Sequence, residues 1–139
     1  MRKLSDIILE QRPLTLRTSA TVVEACRRMR ERGAGSVLVT DGEGRLVGIF
    51  TGRDAVCRVL ALGADAAKTA LSDVMTADPA TMSPNQTAVD ALRLMWDGGF
   101  RHLPLVNKDK ILGVVSRGDF KGLELDRHEE ERELWEHLR

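Results

Sequence analysis

Tyrosine is absent from this chain of 139 residues, and three Phe and two Trp are all the aromatic rings it has. Surfaces that stack the bases of a single strand are built from such rings. A surplus of positive charge is missing too, since 21 Lys and Arg balance 21 Asp and Glu, whereas proteins built to hold a phosphate backbone carry a basic excess. Nucleic acid is therefore not favoured as a partner. Only Cys26 and Cys57 occur, which leaves no disulfide framework and no thiolate zinc spacing. Both are expected to fill small apolar space. Apolar runs such as Val37-Leu38-Val39 are far shorter than the ~20 residues of a membrane span. Asp6 and Glu10 interrupt any signal-peptide reading of the N-terminus, so a cytoplasmic location is expected.

Signatures of turnover are equally scarce. No Gly-Lys-Ser or Gly-Lys-Thr is present for a P-loop, and no Gly-x-Ser-x-Gly for acyl transfer. His102, His128 and His137 have no spacing that gathers metal ligands. Gly42-Glu43-Gly44 lacks the third glycine of a dinucleotide fingerprint and runs into a strand pattern instead of a helix. A non-catalytic protein without a metal or required cofactor is the expectation.

What the chain does contain is a repetition. Leu4-Ser5-Asp6-Ile7 returns as Leu71-Ser72-Asp73-Val74, Thr21-Val22-Val23-Glu24-Ala25 as Thr87-Ala88-Val89-Asp90-Ala91, and Val47-Gly48-Ile49-Phe50-Thr51 as Leu112-Gly113-Val114-Val115-Ser116. The offset falls from 67 to 66 to 65, and each change lies in a segment that reads as a loop.

Each copy opens with a helical turn and a short extended piece, Leu14-Thr15-Leu16 or Ala80-Thr81-Met82. A helix follows, with Val22, Ala25, Cys26 and Met29 at helical spacing in the first copy and Val89, Leu92, Met95 and Trp96 in the second. Thr21 with Glu24 reads as a capping box, Thr87 with Asp90 as a weaker one, and Gly33 and Gly98-Gly99 end the helices. Strands 36–40 and 46–50 flank Asp41-Gly42-Glu43-Gly44, whose glycines are expected to supply positive φ; strands 103–106 and 111–115 flank residues 107–110. A second helix should follow Thr51, running through Val56, Val59 and Leu60, with a counterpart after Ser116. The fold class is α+β, with two β-α-β-β-α repeats of roughly 60 residues, each too small to stand comfortably alone. They should pack as a pseudo-twofold pair.

One motif occurs in both copies. Gly48-Ile49-Phe50-Thr51-Gly52-Arg53-Asp54 and Gly113-Val114-Val115-Ser116-Arg117-Gly118-Asp119 each run glycine, two apolar residues, a hydroxyl residue, two variable positions and an aspartate. The pattern delivers a hydroxyl to a helix start, where free N–H groups and the dipole favour an anion. The aspartate can accept two bonds from a ribose diol. Both motifs also fit capping boxes that only hold the helix start.

Together with Val74-Met75-Thr76, Asp78-Pro79-Ala80-Thr81-Met82-Ser83-Pro84 and Phe100-Arg101-His102-Leu103-Pro104-Leu105-Val106, these motifs resemble the cystathionine-β-synthase (CBS) domain family, present as a tandem pair over residues 4 to 122. The resemblance implies repeat 1 over 1–65 and repeat 2 over 66–123, with two clefts between repeats and dimerisation into a four-repeat disc. It implies regulation through an adenosine ligand such as AMP, ADP, ATP, NAD or S-adenosylmethionine, acting on a regulated protein of unknown identity. By that likeness Asp54 and Asp119 would hold the ribose, Thr51 and Ser116 the phosphate, and the backbone near Thr15-Leu16 and Thr81-Met82 the adenine edge. Arg101-His102 stands where the family often puts a basic pair facing phosphates, within reach of either cleft. The first copy has Gly35-Ser36 there, although Arg53 and Arg117 each offer charge at a helix start. Arg58 reads as a solvated helix residue.

Residues 124–139 hold seven acids and three arginines, so this segment carries −4 and the preceding 123 residues +4. It reads as an acidic amphipathic helix with Leu134, Trp135 and Leu138 on an apolar stripe and Glu129, Glu130, Glu131 and Glu133 solvated. A bare stripe would be an exposed patch. Packing in a homodimer is the favoured way to cover it.

Overall fold

The computed structural model describes residues 2–9, 11–120 and 122–138, apart from the side chains of Leu123, His137 and Leu138. Elements run in the order α1 (Leu4–Ile7), β1 (Thr15–Arg17), α2 (Val22–Arg32), β2 (Ser36–Thr40), β3 (Leu46–Thr51) and α3 (Gly52–Asp54), which passes into a π-helical stretch, Ala55–Leu60. The second copy gives α4 (Leu71–Val74), β4 (Thr76–Ala77), α5 (Ala88–Gly98), β5 (His102–Asn107) and β6 (Lys110–Ser116). A 3-10 turn, Arg117–Asp119, and α6 (Gly122–Leu138) complete the chain.

Both long helices of the repeats form for the reasons their sequences suggest. On α2 the side chains of Val22, Ala25 and Met29 are buried, and Gly33 closes the helix at φ 60°. On α5 the buried set includes Val89, Leu92 and Met95, and Gly99 closes it at φ 71°. The caps differ from expectation. Thr87 and Asp90 make the reciprocal box, at 3.3 and 3.1 Å, whereas Thr21 supplies only the forward bond from the Glu24 N–H, at 3.2 Å. The shorter Asp side chain is the one that reaches back to the cap N–H. Trp96, placed by its spacing among the core positions, is half-exposed at the shoulder of α5.

The chain divides into two compact units, one comprising Met1–Gln11, Thr81–Asn107 and Leu112–Arg139, the other Arg12–Ala80 and Lys108–Ile111. These units and the two sequence copies are different partitions. In the first unit the opening turn α1 is built into the core: Leu4 and Ile8 pack with Ala88, Leu92, Met95, Leu103, Leu105 and Val115. Arg2 carbonyl and Gln86 carbonyl receive the Ala88 and Leu4 N–H groups, at 3.0 and 2.8 Å. In the other unit α4 takes the same place. Leu71 and Val74 pack with Val22, Ala25, Val37, Val39 and Phe50, and the Leu71 N–H donates to the Ala20 carbonyl at 2.8 Å. Each opening turn thus completes the core under the other copy's long helix.

The larger sheet has the order β1-β2-β3-β4, with β1 parallel to β2 and the remaining neighbours antiparallel. Its β2–β3 turn uses one positive-φ glycine, Gly44 at 81°; Gly42 has ordinary backbone. The Asp41 carboxylate replaces the second glycine's work by accepting from the N–H groups of Glu43 and Arg45, at 2.9 and 3.0 Å. The β5–β6 hairpin turns instead through Lys108, at φ 57°.

Candidate functional site

In the unit of residues 12–80, β3 ends at Thr51 opposite Ser36, and β1 pairs on the far side of β2 with Thr15 opposite Leu38. Thr15, Ser36 and Thr51 therefore stand at one end of one sheet. The Leu14 carbonyl accepts from Leu38 N–H and the Thr18 N–H donates to Thr40 carbonyl, so by strand alternation Leu16 faces β2 while the Thr15 peptide faces the open edge. The arrangement recurs in the other unit. Met82 N–H donates to Pro104 carbonyl and Met82 carbonyl accepts from Val106 N–H, at 3.2 and 3.0 Å. Met82 is thereby consumed by pairing, and the peptide of exposed Thr81 faces outward. Of the four residues expected at an adenine edge, Thr15 and Thr81 have outward peptides, while Leu16 and Met82 do not.

The hydroxyl–aspartate motifs close on themselves in both copies. Asp54 Oδ2 accepts from the Thr51 N–H at 3.0 Å and from its hydroxyl at 3.2 Å, and Thr51 Oγ1 accepts from the Asp54 N–H at 3.3 Å. Asp119 Oδ2 likewise accepts from the Ser116 N–H at 2.7 Å and its hydroxyl at 3.3 Å. Each box uses one carboxylate oxygen. Asp54 is only 8% exposed, and its Oδ1 lies 3.6 Å from Arg58 Nε. Asp119 is exposed.

Beyond the motif the two copies diverge. Thr51 starts a continuous helical run through α3 and the π-helical stretch to Leu60, a variant often found at functional positions. Ser116 starts a single 3-10 turn that ends at Phe120 in extended conformation, φ −89° and ψ 142°. The expected helix dipole at the second motif is therefore not built, because one turn aligns too few peptides. Arg58 departs from expectation as well: it donates to the Met75 carbonyl at 2.9 Å, at the end of α4. Cys26 lies against the core, but Cys57 is exposed on the π-helical stretch instead of filling apolar space.

Arg101, His102, Ser116, Arg117 and Asp119 are brought together at the end of the β5–β6 hairpin, where the Arg117 N–H donates to the Arg101 carbonyl at 3.0 Å. Burial pushes the His102 imidazole below its ordinary value; Asp119 partly offsets this by attracting the proton, and Arg101 adds to the lowering by repelling it. Arg101 is exposed and His102 half-buried, while Arg53 stands exposed beside Asp54.

A groove of about 460 Å³ lies elsewhere, between α5 and α6, lined by Arg93, Trp96, His128, Arg132 and Trp135 among others. Nothing in the sequence pattern groups these five residues. A partial signal was present in the four-residue spacing of His128 and Arg132, which puts both on one side of a helix. The Arg132 guanidinium sits 4.0 Å over the Trp96 ring, and His128 meets that ring edge-on with centroids 6.3 Å apart. Glu131 pairs with Arg93 and Glu129 with Arg132, so these two glutamates are not simply solvated. Leu134 and Trp135 are exposed, while the side chain of Leu138 lies outside the described residues. No group of three His, Cys, Asp or Glu side chains among the described residues is placed to hold a metal ion. No helix of the described residues is long and apolar enough to cross a membrane.

Comparison with known proteins places these features in a family. A plant protein, CBSCBSPB2 of Arabidopsis thaliana, is 39% identical over 102 residues, which are 73% of this chain and 19% of that protein's length. The CBS-domain protein ATU1752 of Agrobacterium tumefaciens superposes with a TM-score of 0.78 at 29% identity, covering 85% of this chain and 95% of that one. A CBS domain protein from Pyrobaculum aerophilum, PAE2072, solved in complex with AMP, superposes at 0.80 with 24% identity over 91% of this chain and 98% of its own. The CBS domain profile matches residues 4–60 and again 71–125. With both copies matched separately and the solved relatives sharing its fold, the chain belongs to the CBS domain family and carries the domain twice.

Proposed function

We propose that this CBS pair is a cytoplasmic regulatory module that binds an adenine nucleotide of the AMP, ADP, ATP or NAD type, performs no catalysis, and passes ligand occupancy to a regulated protein. The observation that carries this reading is the same in both copies: an outward peptide at Thr15 or Thr81 stands at the sheet end that also bears a hydroxyl–aspartate pair. An adenine edge needs one donor and one acceptor, which the N–H and carbonyl of a single outward-facing strand residue offer. Asp54 and Asp119 would turn the oxygen left outside each box toward a ribose, and Thr51 and Ser116 would neighbour the phosphate. Arg53, Arg101, His102 and Arg117 supply charge and N–H donors for it. The AMP complex of the Pyrobaculum protein supports the ligand class. A ligand alters the output only by binding one shape of the module better than another. The module is taken to act as a homodimer, which would cover the exposed Leu134 and Trp135.

A second reading is favoured by one observation. Both motifs satisfy themselves as reciprocal caps, which is all that a ligand-free interaction scaffold would require. Calorimetric titration of the purified chain with AMP, ATP and NAD separates the two. Saturable heat with at least one of them, and a melting temperature that climbs with the logarithm of its concentration, supports the sensor. No heat and no thermal shift with all three leaves the scaffold.

A further inference from the structure

The groove of about 460 Å³ between α5 and α6 lies within one compact unit, and none of its lining residues belongs to the proposed nucleotide site. Its volume falls in the ~300–1,000 Å³ range of cavities that hold a ligand. Trp96 and Trp135, the only tryptophans in the chain, both line it. Trp135 is 65% exposed, although an indole ring gains more from burial than most side chains.

One part of the groove already shows what its chemistry accepts. The Arg132 guanidinium stacks 4.0 Å over the Trp96 ring, and Glu129 accepts from its Nη2 at 2.6 Å. An aromatic face together with a carboxylate therefore holds a guanidinium there. Trp135, Asp97 and Glu136 line the same groove and are the same kinds of group, yet no described side chain stacks on Trp135 or forms an ion pair with Asp97 or Glu136. Arg93 is engaged by Glu131 and feels Asp97 least among its acidic neighbours. With Arg93 and Arg132 each matched by its own glutamate, the charge left over in the groove is that of Asp97 and Glu136, both exposed and both negative.

We infer that this groove receives an arginine side chain of the regulated protein, its guanidinium over the Trp135 ring with Asp97 and Glu136 as counter-charges. A positive group fits the leftover charge, and arginine fits it better than lysine because its planar, weakly hydrated head stacks on an indole. The carrier is a polypeptide for a reason of magnitude. One ring face or one carboxylate strengthens the binding of an exposed cation by up to about fivefold, so the ring and two carboxylates reach about a hundredfold at most. Millimolar affinity needs about a thousandfold, and contacts along a chain on either side of the arginine would supply the rest. This rests on the reading that the module acts on another protein. It assigns Trp135 to that protein and leaves Leu134, which does not line the groove, for the homodimer.

Tryptophan emission of the full chain reports on the groove alone, since the groove contains both indoles. Titration with a hexa-arginine peptide should change that emission saturably, with an affinity about threefold or more above that of hexalysine. Trp135→Ala should weaken hexa-arginine by about two- to fivefold, read from Trp96, and Asp97→Asn with Glu136→Gln by about threefold or more. Glu130→Gln with Glu133→Gln removes the same charge from exposed glutamates of α6 outside the groove and should change affinity by less than about twofold. Thermal melts show whether each variant folds, and the arginine-to-lysine ratio stands on the wild-type chain without them. The site is overturned by no emission change with hexa-arginine up to millimolar concentration, by equal affinity for hexalysine, by unchanged affinity after Trp135→Ala, or by an equal loss in the Glu130 and Glu133 variant. None of these outcomes touches the nucleotide reading, which AMP calorimetry tests on its own.

Discussion

Arg2 forks onto Glu124, its Nε and Nη2 donating to the two carboxylate oxygens at 2.6 and 2.8 Å. The same Nη2 also donates to the Asp119 carbonyl at 2.9 Å. The guanidinium of the second residue in the chain thus holds the segment leading from β6 into α6. Glu124 is 5% exposed, and the contact holds the Arg2 proton more tightly than usual, chiefly through the bond to Glu124. Arg2→Ala should leave that buried carboxylate without its fork and cost about 2 kcal/mol, below the range for a fully buried pair because Arg2 is partly exposed. Urea denaturation of the two proteins measures it, and a change within error would reduce the fork to a surface pair.

Substitution at the motif aspartates separates their two roles. Asp54→Ala and Asp119→Ala should each cost ~0.5–2 kcal/mol as lost caps and each remove one nucleotide site. Unchanged calorimetric affinity in both variants would assign them to capping alone. Arg101→Ala should weaken AMP and ATP much more than adenosine, because an arginine adds charge-assisted bonds to phosphate that the nucleoside lacks. Equal losses for all three would take Arg101 away from the phosphate.

The glycine of each motif is explained by close approach. A Cβ on Gly113 would stand 2.9 Å from Ile8 Cγ2 and 2.8 Å from Gln11 Oε1, and that Gln11 oxygen accepts from the Val114 N–H at 2.7 Å. A Cβ on Gly48 would strike the Met75 side chain. Methionine can swing aside, but β-branched Ile8 is stiff at χ1. Gly113→Ala should therefore destabilise by ~1–3 kcal/mol, and Gly48→Ala by clearly less. Equal costs in chemical denaturation would remove the distinction.

Acid should weaken the unit that contains both lowered histidines. Burial depresses His128, which is 3% exposed, with Arg132 adding to the shift, and burial also depresses His102. Unfolded, each takes up a proton near pH 6.5; folded, each resists until lower pH. In that interval the unfolded chain binds more protons, so stability is complete above about pH 6.5 and falls as acidification proceeds toward the folded values. Melting temperatures measured across this range should decline, and His128→Gln should flatten the decline. A wild-type profile that is level or rises on acidification would contradict the burial argument.

Much of the fold was legible because its signals are local. The apolar spacing on α2 and α5, the αL glycines that end them and the repeated strand pairs all act within a dozen residues. Less legible was whatever depends on distant partners. Nothing near Leu4 or Leu71 says that α1 completes the core beneath α5 and α4 the one beneath α2. Trp96 fits the buried stripe by spacing and sits on its shoulder, because α6 offers His128 and Arg132 there. At the candidate site the hydroxyl–aspartate pairs were legible as capping boxes, one of the two readings their spacing allows. The unequal helices behind them were not, since Thr51 and Ser116 have similar chemistry and the residues after them decide whether a turn continues.

The traded opening turns make the boundary between the copies a poor place to cut. A fragment ending there would keep α1 without the helix it lies under, and lose the α4 that fills its own interior. The duplication reads as two modules along the chain, yet neither half holds all the parts of a stable body.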